Sequence, residues 1–298
     1  MTAILRAAVL CVAEARPLVL GVSLLRFLTG VALALPVAAA AHPLVILRGA
    51  AAWVLSILAV YLFNGVTDVV EDRINGSRRP IARGDLDPAH AMAAAAVAAW
   101  LALLATVGLP GPMLWVVAAN LVLGYLYSGP PLPLKGSAGG TMAVLCLSGM
   151  LAYLGGFVVA TAGAHASVPP ALMVFAAAAI CWMVFVGVPA KDLSDIQGDA
   201  AAGRRTLGVR VGERRSRRVM VVAALVLLVV FALTVVLLRV PLVGVSLAMA
   251  VGAAAVTATG VGAPAPDAPV GRSTRRRSYG AFMGTQHLVH LTALVCHI

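Results

Sequence analysis

Charged residues are scarce in this sequence, and that scarcity excludes an ordinary soluble globular domain. Only 11% of its 298 residues are charged and 61% are hydrophobic, whereas an average soluble domain has about 25% charged residues. A bilayer-spanning helix needs about 20 mostly apolar residues. The sequence offers about nine such runs, with approximate limits 17–40, 43–64, 89–108, 112–128, 139–162, 168–190, 219–238, 240–262 and 279–297. The runs are continuous and do not alternate, so the sequence predicts an all-α integral membrane protein and not a barrel.

The spacing of the cysteines and histidines does not indicate a metal site. The four cysteines are scattered, without CxxC or Cys/His spacing, so we predict neither a zinc site nor a disulfide framework. His287 and His290 share a helix face, and we interpret them as packed or hydrogen-bonded side chains.

The net charge of +11 does not indicate a nucleic-acid partner, because the basic residues are sorted by loop. They gather in the second, fourth, sixth and eighth connections between runs and are nearly absent from the others. This positive-inside pattern predicts that the N-terminus and these loops are cytoplasmic and that the C-terminus is outside. We expect a bacterial cytoplasmic membrane, with anionic lipid headgroups near the basic loops.

Acidic residues are the rarest charges, and they are clustered. The chain has eleven Asp and Glu, and six of them end the second and sixth runs: Asp68, Glu71, Asp72, Asp192, Asp195 and Asp199. Their spacing places Asn64, Asp68 and Asp72 on one helix face, and the second set on another. Solvated helix ends would explain a single Asp, but two matched acidic faces at a membrane edge are typical of a functional site.

Stacked carboxylates repel one another, so the pattern predicts a cation between them. Carboxylates without thiolate or imidazole favour hard cations, and Mg²⁺ prefers carboxylates shared with phosphate oxygens. Arg78 and Arg79 follow the first acidic face, and Arg binds phosphate oxygens bidentately. The only two lysines, Lys135 and Lys191, lie in the fourth and sixth connections, on the same predicted cytoplasmic side. We interpret them as phosphate ligands, with chance placement as the alternative.

An internal repeat connects the two windows. Asp72 and Asp199 each have an Asp four residues before and a Gly four residues after, then an Arg pair, and another Arg at the eleventh position. The repeat predicts one domain, 1–298, built from two four-helix halves, about 17–135 and about 139–262, plus a ninth helix. We expect a central cavity with one acidic face from each half.

Four segments together resemble the UbiA superfamily of intramembrane prenyltransferases. NGVTDVVED (64–72) fits the family's NxxxDxxxD motif, and KDLSDIQGD (191–199) with GRRTLGVRVG (203–212) fits the second motif. NGSRRPIARG (75–84) is similar to the loop after the first motif, and YSGPPLPLKG (127–136) to a Tyr-Ser-containing segment. The resemblance implies nine helices around a laterally open cavity, two Mg²⁺ ions with Mn²⁺ as a substitute, a prenyl diphosphate and a small aromatic or other hydrophobic acceptor.

The resemblance also implies residue roles. The implied metal ligands are Asn64, Asp68, Asp72, Asp192, Asp195 and Asp199, of which Asp68, Asp72, Asp192 and Asp195 are counted as catalytic. Asp192 either binds metal or deprotonates the acceptor. The implied diphosphate contacts are Arg79, Tyr127, Lys135 and Lys191, beside Arg78. Many family members read Asn-Asp where this chain has Asn64-Gly65.

Two alternatives stay open at this point. A membrane terpene cyclase of the same superfamily would ionise the same diphosphate without an external acceptor. A transporter built on repeats is less favoured, because transporter sites lie near the bilayer midplane, whereas these motifs lie at helix ends on one side.

The predicted topology can be tested by labelling. A single cysteine at position 205, in a protein lacking the four native cysteines, should react with a membrane-impermeant thiol reagent only when the cytoplasmic side is opened, because its loop is rich in arginine. A cysteine at position 298 should react from outside in intact cells. External labelling at position 205 would contradict the orientation.

Overall fold

The computed structural model describes residues 3–38, 42–163, 166–261 and 272–297, and these residues form helices and no β-strand. The helices up to residue 160 are α1 (Ala3–Glu14), α2 (Pro17–Ala34), α3 (Pro43–Thr67), α4 (Val69–Ile74), α5 (Pro80–Arg83), α6 (Pro88–Leu104), α7 (Pro112–Ser128) and α8 (Ala138–Ala160). Those after it are α9 (Pro170–Trp182), α10 (Val188–Asp192), α11 (Ile196–Ala201), α12 (Leu207–Leu237), α13 (Val243–Val261), α14 (Arg272–Arg275) and α15 (Arg277–His297).

Proline sets many of the helix starts. Pro17, Pro43, Pro88, Pro112 and Pro170 are each the first residue of a helix. The fixed φ of proline suits the first helical turn, where the missing N–H would have had no intrahelical partner. The sequence therefore marks where several apolar runs become helical.

Six helical segments are long and apolar enough to cross a bilayer: Pro17–Val37, Pro43–Thr67, Ala138–Ala160, Pro170–Asp192, Leu207–Leu237 and Val243–Val261. Pro88–Leu104 and Pro112–Ser128 are apolar but shorter. The ninth predicted run corresponds to α15, which carries Gln286 and several histidines and is not among the six. The all-helical class is confirmed, but the count of nine spans is not. Residues 39–40 at the end of the first predicted run, residue 262 at the end of the eighth, and Ile298 lie outside the described residues.

The chain forms two compact units. The first contains Met1–Lys135 and Leu151–Ser167, and the second contains Gly136–Met150 and Val168–Ile298. Neither unit is continuous in sequence, because the first half of α8 belongs to the second unit and the rest of α8 to the first.

Two reciprocal Asn–Ser hydrogen bonds join α3 and α7 in the first unit. Asn64 Nδ2 donates to Ser128 Oγ, and Asn120 Nδ2 donates to Ser56 Oγ, both at 3.0 Å. All four side chains are buried. A buried amide needs such partners because leaving its N–H unpaired costs about 1–3 kcal/mol. The first pair also fixes Asn64, a predicted ligand.

A close helix contact lies midway between these bonds. A Cβ added to Gly124 on α7 would overlap Cγ2 of Val60 on α3 and lie 2.8 Å from Cγ1. Small residues at helix interfaces in membranes let the backbones approach closely. Gly124 therefore allows both flanking hydrogen bonds to close.

The second part of α8 packs equally closely on α2. A Cβ on Gly30 would lie 2.5 Å from the Tyr153 carbonyl oxygen, and one on Gly156 would lie 2.8 Å from the Val31 amide nitrogen. These neighbours are backbone atoms, which cannot move away as a flexible side chain can. Residues 151–160 are thus held against α2 in the first unit.

In the second unit, polar side chains of α15 are buried against α9. Gln286 Nε2 donates to the Ala179 carbonyl at 3.3 Å. The His290 ring meets Phe175 edge-on, with centroids 5.1 Å apart. His287 Nδ1 lies 2.8 Å from the Met283 carbonyl. Both histidines are packed or hydrogen-bonded, as the sequence suggested.

The α3–α7 contact gives a stability prediction. Gly124→Ala should lower the free energy of unfolding by about 1–3 kcal/mol, because overpacking a close contact strains its surroundings. Val60→Ala in the same chain should recover part of the loss by removing the overlapped methyl groups. Thermal unfolding of detergent-purified protein measures both.

Gly284→Ala is the matched control, since a Cβ there meets nothing within 4 Å. It should leave the melting temperature unchanged or raise it slightly, because alanine favours the helix. Equal destabilisation by Gly124→Ala and Gly284→Ala would contradict the close contact.

Candidate active site

Both acidic motifs contain a break between two helices. Asp68 ends α3 and precedes α4, with φ −101° and ψ 6°. Asp195 precedes α11 with nearly the same angles, φ −116° and ψ 3°. A π-helical turn at Met183–Gly187 also lies shortly before the second motif. The predicted uninterrupted helical faces are therefore wrong in detail, because each motif divides between the end of one helix and the start of a short one.

The backbone after the two breaks is the same. Asp72 N–H donates to the Asp68 carbonyl at 2.8 Å, and Asp199 N–H donates to the Asp195 carbonyl at 2.9 Å. The carbonyls of Asp72 and Asp199 in turn each accept a hydrogen bond from the N–H five residues later. Ser77 N–H donates to the Asp72 carbonyl at 2.8 Å, and Arg204 N–H donates to the Asp199 carbonyl at 2.9 Å. The repeat found in the sequence is thus a repeat of local structure.

The glycine of the repeat has a backbone reason. Gly76 has φ +61° and Gly203 has φ +67°. This left-handed conformation ends a helix and strains any residue with a Cβ. Glycine at the fourth position after Asp72 and Asp199 therefore lets the chain turn back toward the motif.

Asp68 is held by an amide and a lysine. Asn64 Nδ2 donates to Asp68 Oδ2 at 2.9 Å. Lys135 Nζ donates to Asp68 Oδ1 at 2.7 Å and to Thr67 Oγ1 at 2.8 Å. The structure thus brings the predicted residues Asn64, Asp68 and Lys135 together, although Lys135 follows Asp68 by 67 residues.

Arg79 is buried in a closed network. Its Nη1 donates to Asp72 Oδ2 at 2.8 Å. Its Nε lies 2.7 Å from Oε1 of Glu14, the last residue of α1. Further bonds from the guanidinium reach the Glu14 and Tyr61 carbonyls at 3.2–3.3 Å. Arg79 is only 6% exposed, so in this structure it orients Asp72, whereas Arg78 beside it is exposed.

The second motif carries its own cations. Lys191 Nζ lies 3.7 Å from Asp192 Oδ1 and 3.6 Å from Asp195 Oδ2. Arg204 Nη1 donates to Asp199 Oδ1 at 3.2 Å. A lysine therefore lies beside the first aspartate of each motif and an arginine beside the second. Tyr127, near the end of α7, is half-buried.

Two carboxylate oxygens of the second motif are buried and have no hydrogen-bond partner among the described residues. Asp192 is 2% exposed and Asp199 is 1% exposed, and Oδ2 of each is buried without a hydrogen-bond partner. Burial raises the pKa of the Asp199 carboxyl above its ordinary value. A buried carboxylate oxygen left unpaired is costly, and hard divalent cations prefer such oxygens.

The donor chemistry therefore fits Mg²⁺. Within the described ranges, no three or more His, Cys, Asp or Glu side chains form a ready-made metal cluster. The oxygens of the first motif are instead bonded to lysine, asparagine and arginine.

Glu14 is a charged residue of the site that the sequence did not reveal. It lies 65 residues before Arg79 and belongs to no repeat. The only signal was its rarity, since the chain has eleven acids and this one ends a short helix rich in apolar residues. Thr67 and Ser128 were also missed, because a hydroxyl within an apolar run is common.

The sequence profile of the UbiA prenyltransferase family matches residues 23–269. Among curated proteins, digeranylgeranylglyceryl phosphate synthase of Natronomonas pharaonis is 35% identical over 167 residues, which cover 55% of this chain and 57% of that protein. The enzyme of the same name from Halobacterium salinarum is 35% identical over 156 residues, covering 51% and 53%. The chain therefore spans little more than half the length of the curated relatives it matches.

Solved structures share the fold. A UbiA homolog from Archaeoglobus fulgidus bound to GPP and Mg²⁺ superposes with a TM-score of 0.69 at 17% identity, covering 96% of this chain and 99% of that one. An apo UbiA homolog from Aeropyrum pernix K1 gives 0.66 at 17% identity, covering 92% and 96%. With its apolar helices and a family profile spanning most of its length, the chain is an integral membrane protein that belongs to the UbiA prenyltransferase family.

Proposed function

We propose that this protein is an Mg²⁺-dependent intramembrane prenyltransferase. It would cleave the allylic carbon–oxygen bond of a prenyl diphosphate and join the prenyl carbon to an acceptor, with diphosphate and a proton as the other products. The observation that carries the proposal is the duplicated acidic motif, with the same backbone geometry at Asp68 and Asp195 and with unpaired buried oxygens on Asp192 and Asp199.

The metal would be held by the residues that the repeat selects: Asn64, Asp68, Asp72, Asp192, Asp195 and Asp199. Mg²⁺, as two ions or with Mn²⁺ in its place, would supply electrostatic stabilisation of the charge that develops on the leaving diphosphate. By fixing the positions of these cations, the carboxylates would orient the diphosphate. The apolar helices keep water from the reacting carbon.

The basic residues would complete the diphosphate site. Lys135 lies 2.7 Å from Asp68 and Lys191 lies 3.6 Å from Asp195, so a diphosphate bound at either carboxylate would have an ammonium group beside it. Arg78 is exposed next to the first motif, and Tyr127 would add a phenolic donor. Arg79 is directed at Asp72, and we propose that it acts on the diphosphate through that carboxylate.

The acceptor has two candidates. The family resemblance favours a small aromatic acceptor, for which Asp192 would be the base that removes the ring proton. The curated relatives are named digeranylgeranylglyceryl phosphate synthase, and their name supports a glyceryl phosphate acceptor that already carries one prenyl chain. A membrane terpene cyclase remains the competing activity.

The metal ligands can be tested by substitution. Asp192→Asn and Asp199→Asn should each lower kcat about 100-fold or more, the scale on which losing a group that stabilises transition-state charge acts. EDTA should abolish turnover of the unchanged protein, and added Mg²⁺ should restore it. Radiolabelled prenyl diphosphate and extraction of lipid products measure the rate.

Asp87→Asn is the matched control, because the Asp87 side chain caps α6 by accepting from the N–H groups of Ala89 and His90, and asparagine is an equally good N-cap. It should keep its turnover. A folded Asp199→Asn variant with normal kcat and normal Mg²⁺ dependence would remove Asp199 from the ligand set.

The acceptor class can be tested by mass spectrometry. Purified protein with Mg²⁺ and short or long prenyl diphosphates should yield an acceptor mass increased by one prenyl group, with either the aromatic panel or the monoprenylated glyceryl phosphate. The productive panel identifies the acceptor. A cyclic terpene formed from donor alone, at a rate that no acceptor changes, would replace transferase by cyclase.

A further inference from the structure

Position 65 has no side chain, and the carboxylate of Glu14 fills the space beside it. A Cβ built on Gly65 would overlap Oε1 of Glu14 and lie 2.7 Å from Nη2 of Arg79. Glu14 is 0% exposed, so it is enclosed by protein on every side. The absence of a side chain at position 65 is what allows α1 to bring a carboxylate to this place.

The second motif shows what occupies the corresponding place there. Gly65 precedes Asp68 by three residues, and Asp192 precedes Asp195 by three. The carboxylate of Asp192 accepts a hydrogen bond from the backbone N–H of Leu207, the first residue of α12. In the first motif, Glu14 Oε2 accepts from the backbone N–H of Ile81 in α5, at 2.9 Å.

The two motifs therefore share a buried carboxylate that binds a backbone N–H at the start of the following helix. In the second motif the carboxylate belongs to the motif helix itself. In the first it comes from Glu14 at the end of α1, far before Gly65 in the chain.

We propose that Glu14 supplies to the first motif the carboxylate that Asp192 supplies to the second, and that it is a positioning residue for Asp72. Arg79 connects them, with Nε 2.7 Å from Glu14 Oε1 and Nη1 2.8 Å from Asp72 Oδ2. The link to catalysis rests on the proposed function, because it requires Asp72 to take part in the site.

Charge explains why Glu14 matters for Asp72. With Glu14 present, Arg79 is shared between two carboxylates, and the three groups together carry one negative charge. Without Glu14, the guanidinium would neutralise Asp72 alone, and the first motif would attract a divalent cation less strongly. Glu14 also holds the Nε end of the guanidinium, while the Nη1 end contacts Asp72, so that Asp72 keeps one orientation.

The test uses Glu14→Ala, Glu14→Gln, Gly65→Asp and the double variant Glu14→Ala/Gly65→Asp. Asp85→Asn is the control, because Asp85 is an exposed acid in the same loop, paired with Arg83. Three quantities are measured on the whole purified chain: the melting temperature without metal or substrate, the Mg²⁺ concentration for half-maximal turnover, and the KM for the prenyl diphosphate.

We expect both Glu14→Ala and Gly65→Asp to lower the melting temperature. The first leaves a buried arginine short of a partner, and the second forces a side chain into occupied space. The double variant should melt above either single variant, since the new aspartate takes the vacated place.

For turnover, Glu14→Ala and Glu14→Gln should raise the half-maximal Mg²⁺ concentration about 10- to 100-fold, the usual effect of losing a group that orients a metal ligand. The KM for the prenyl diphosphate should change little, and the double variant should return toward the wild-type Mg²⁺ requirement. Asp85→Asn should match the wild type in both measurements.

A double variant that melts no higher than the more stable of the two single variants overturns the proposal that Glu14 stands in for a side chain missing at position 65. A wild-type Mg²⁺ requirement in Glu14→Gln and Glu14→Ala overturns the positioning role and leaves Glu14 as an anchor for α1. Should Glu14→Ala fail to fold, the isosteric Glu14→Gln still measures the Mg²⁺ requirement, and recovery of folding in the double variant tests the replacement. A wild type without any prenyl transfer rejects the proposed function, and the melting temperatures alone then decide the Glu14 assignment.

Discussion

A carboxylate at the end of an apolar helix must find a cation within the protein, because there is little water or free charge around it. This constraint organises both motifs. Asp68 is paired with Lys135, Asp72 with Arg79, Asp199 with Arg204, and Asp195 lies near Lys191. The few basic residues that contact these acids are therefore as much a part of the fold as of the site.

The repeat is conserved within the chain at the level of the backbone and has diverged in its side chains. The helix breaks, the 2.8–2.9 Å amide bonds and the left-handed glycines agree between the motifs. The carboxylate beside the break differs in origin, from α1 in one motif and from the motif helix in the other. The backbone geometry of the motif sets the place at which a carboxylate is needed. The carboxylate itself can come from any helix that reaches that place.

Hydropathy and spacing predicted the parts of the structure that depend on local pattern. Every apolar run corresponds to a helix, and the Asp-x3-Asp-x3-Gly repeat located both motifs, because periodicity and turn glycines act over a few residues. The break at Asp68 was not predictable from periodicity, which assumes a continuous helix.

The position of Glu14 was not predictable either, since its contact with Arg79 spans 65 residues and follows no spacing rule. For the same reason, the diphosphate role expected of Arg79 did not anticipate its burial between Asp72 and Glu14. Lys135 was selected for its rarity, and it does lie at Asp68, although only the structure could show that Thr67 shares it.

The division of α8 between the two units limits which fragments of the protein can fold. Residues 151–160 supply the backbone against which Gly30 and Gly156 bring α2 into contact, so a fragment ending at the first unit's boundary, Lys135, would leave the face around Phe27 uncovered. The sequence repeat suggests two exchangeable halves, but the chain returns to the first unit after it has begun the second. Split or chimeric versions of this protein would have to keep α8 whole and exchange it together with α2.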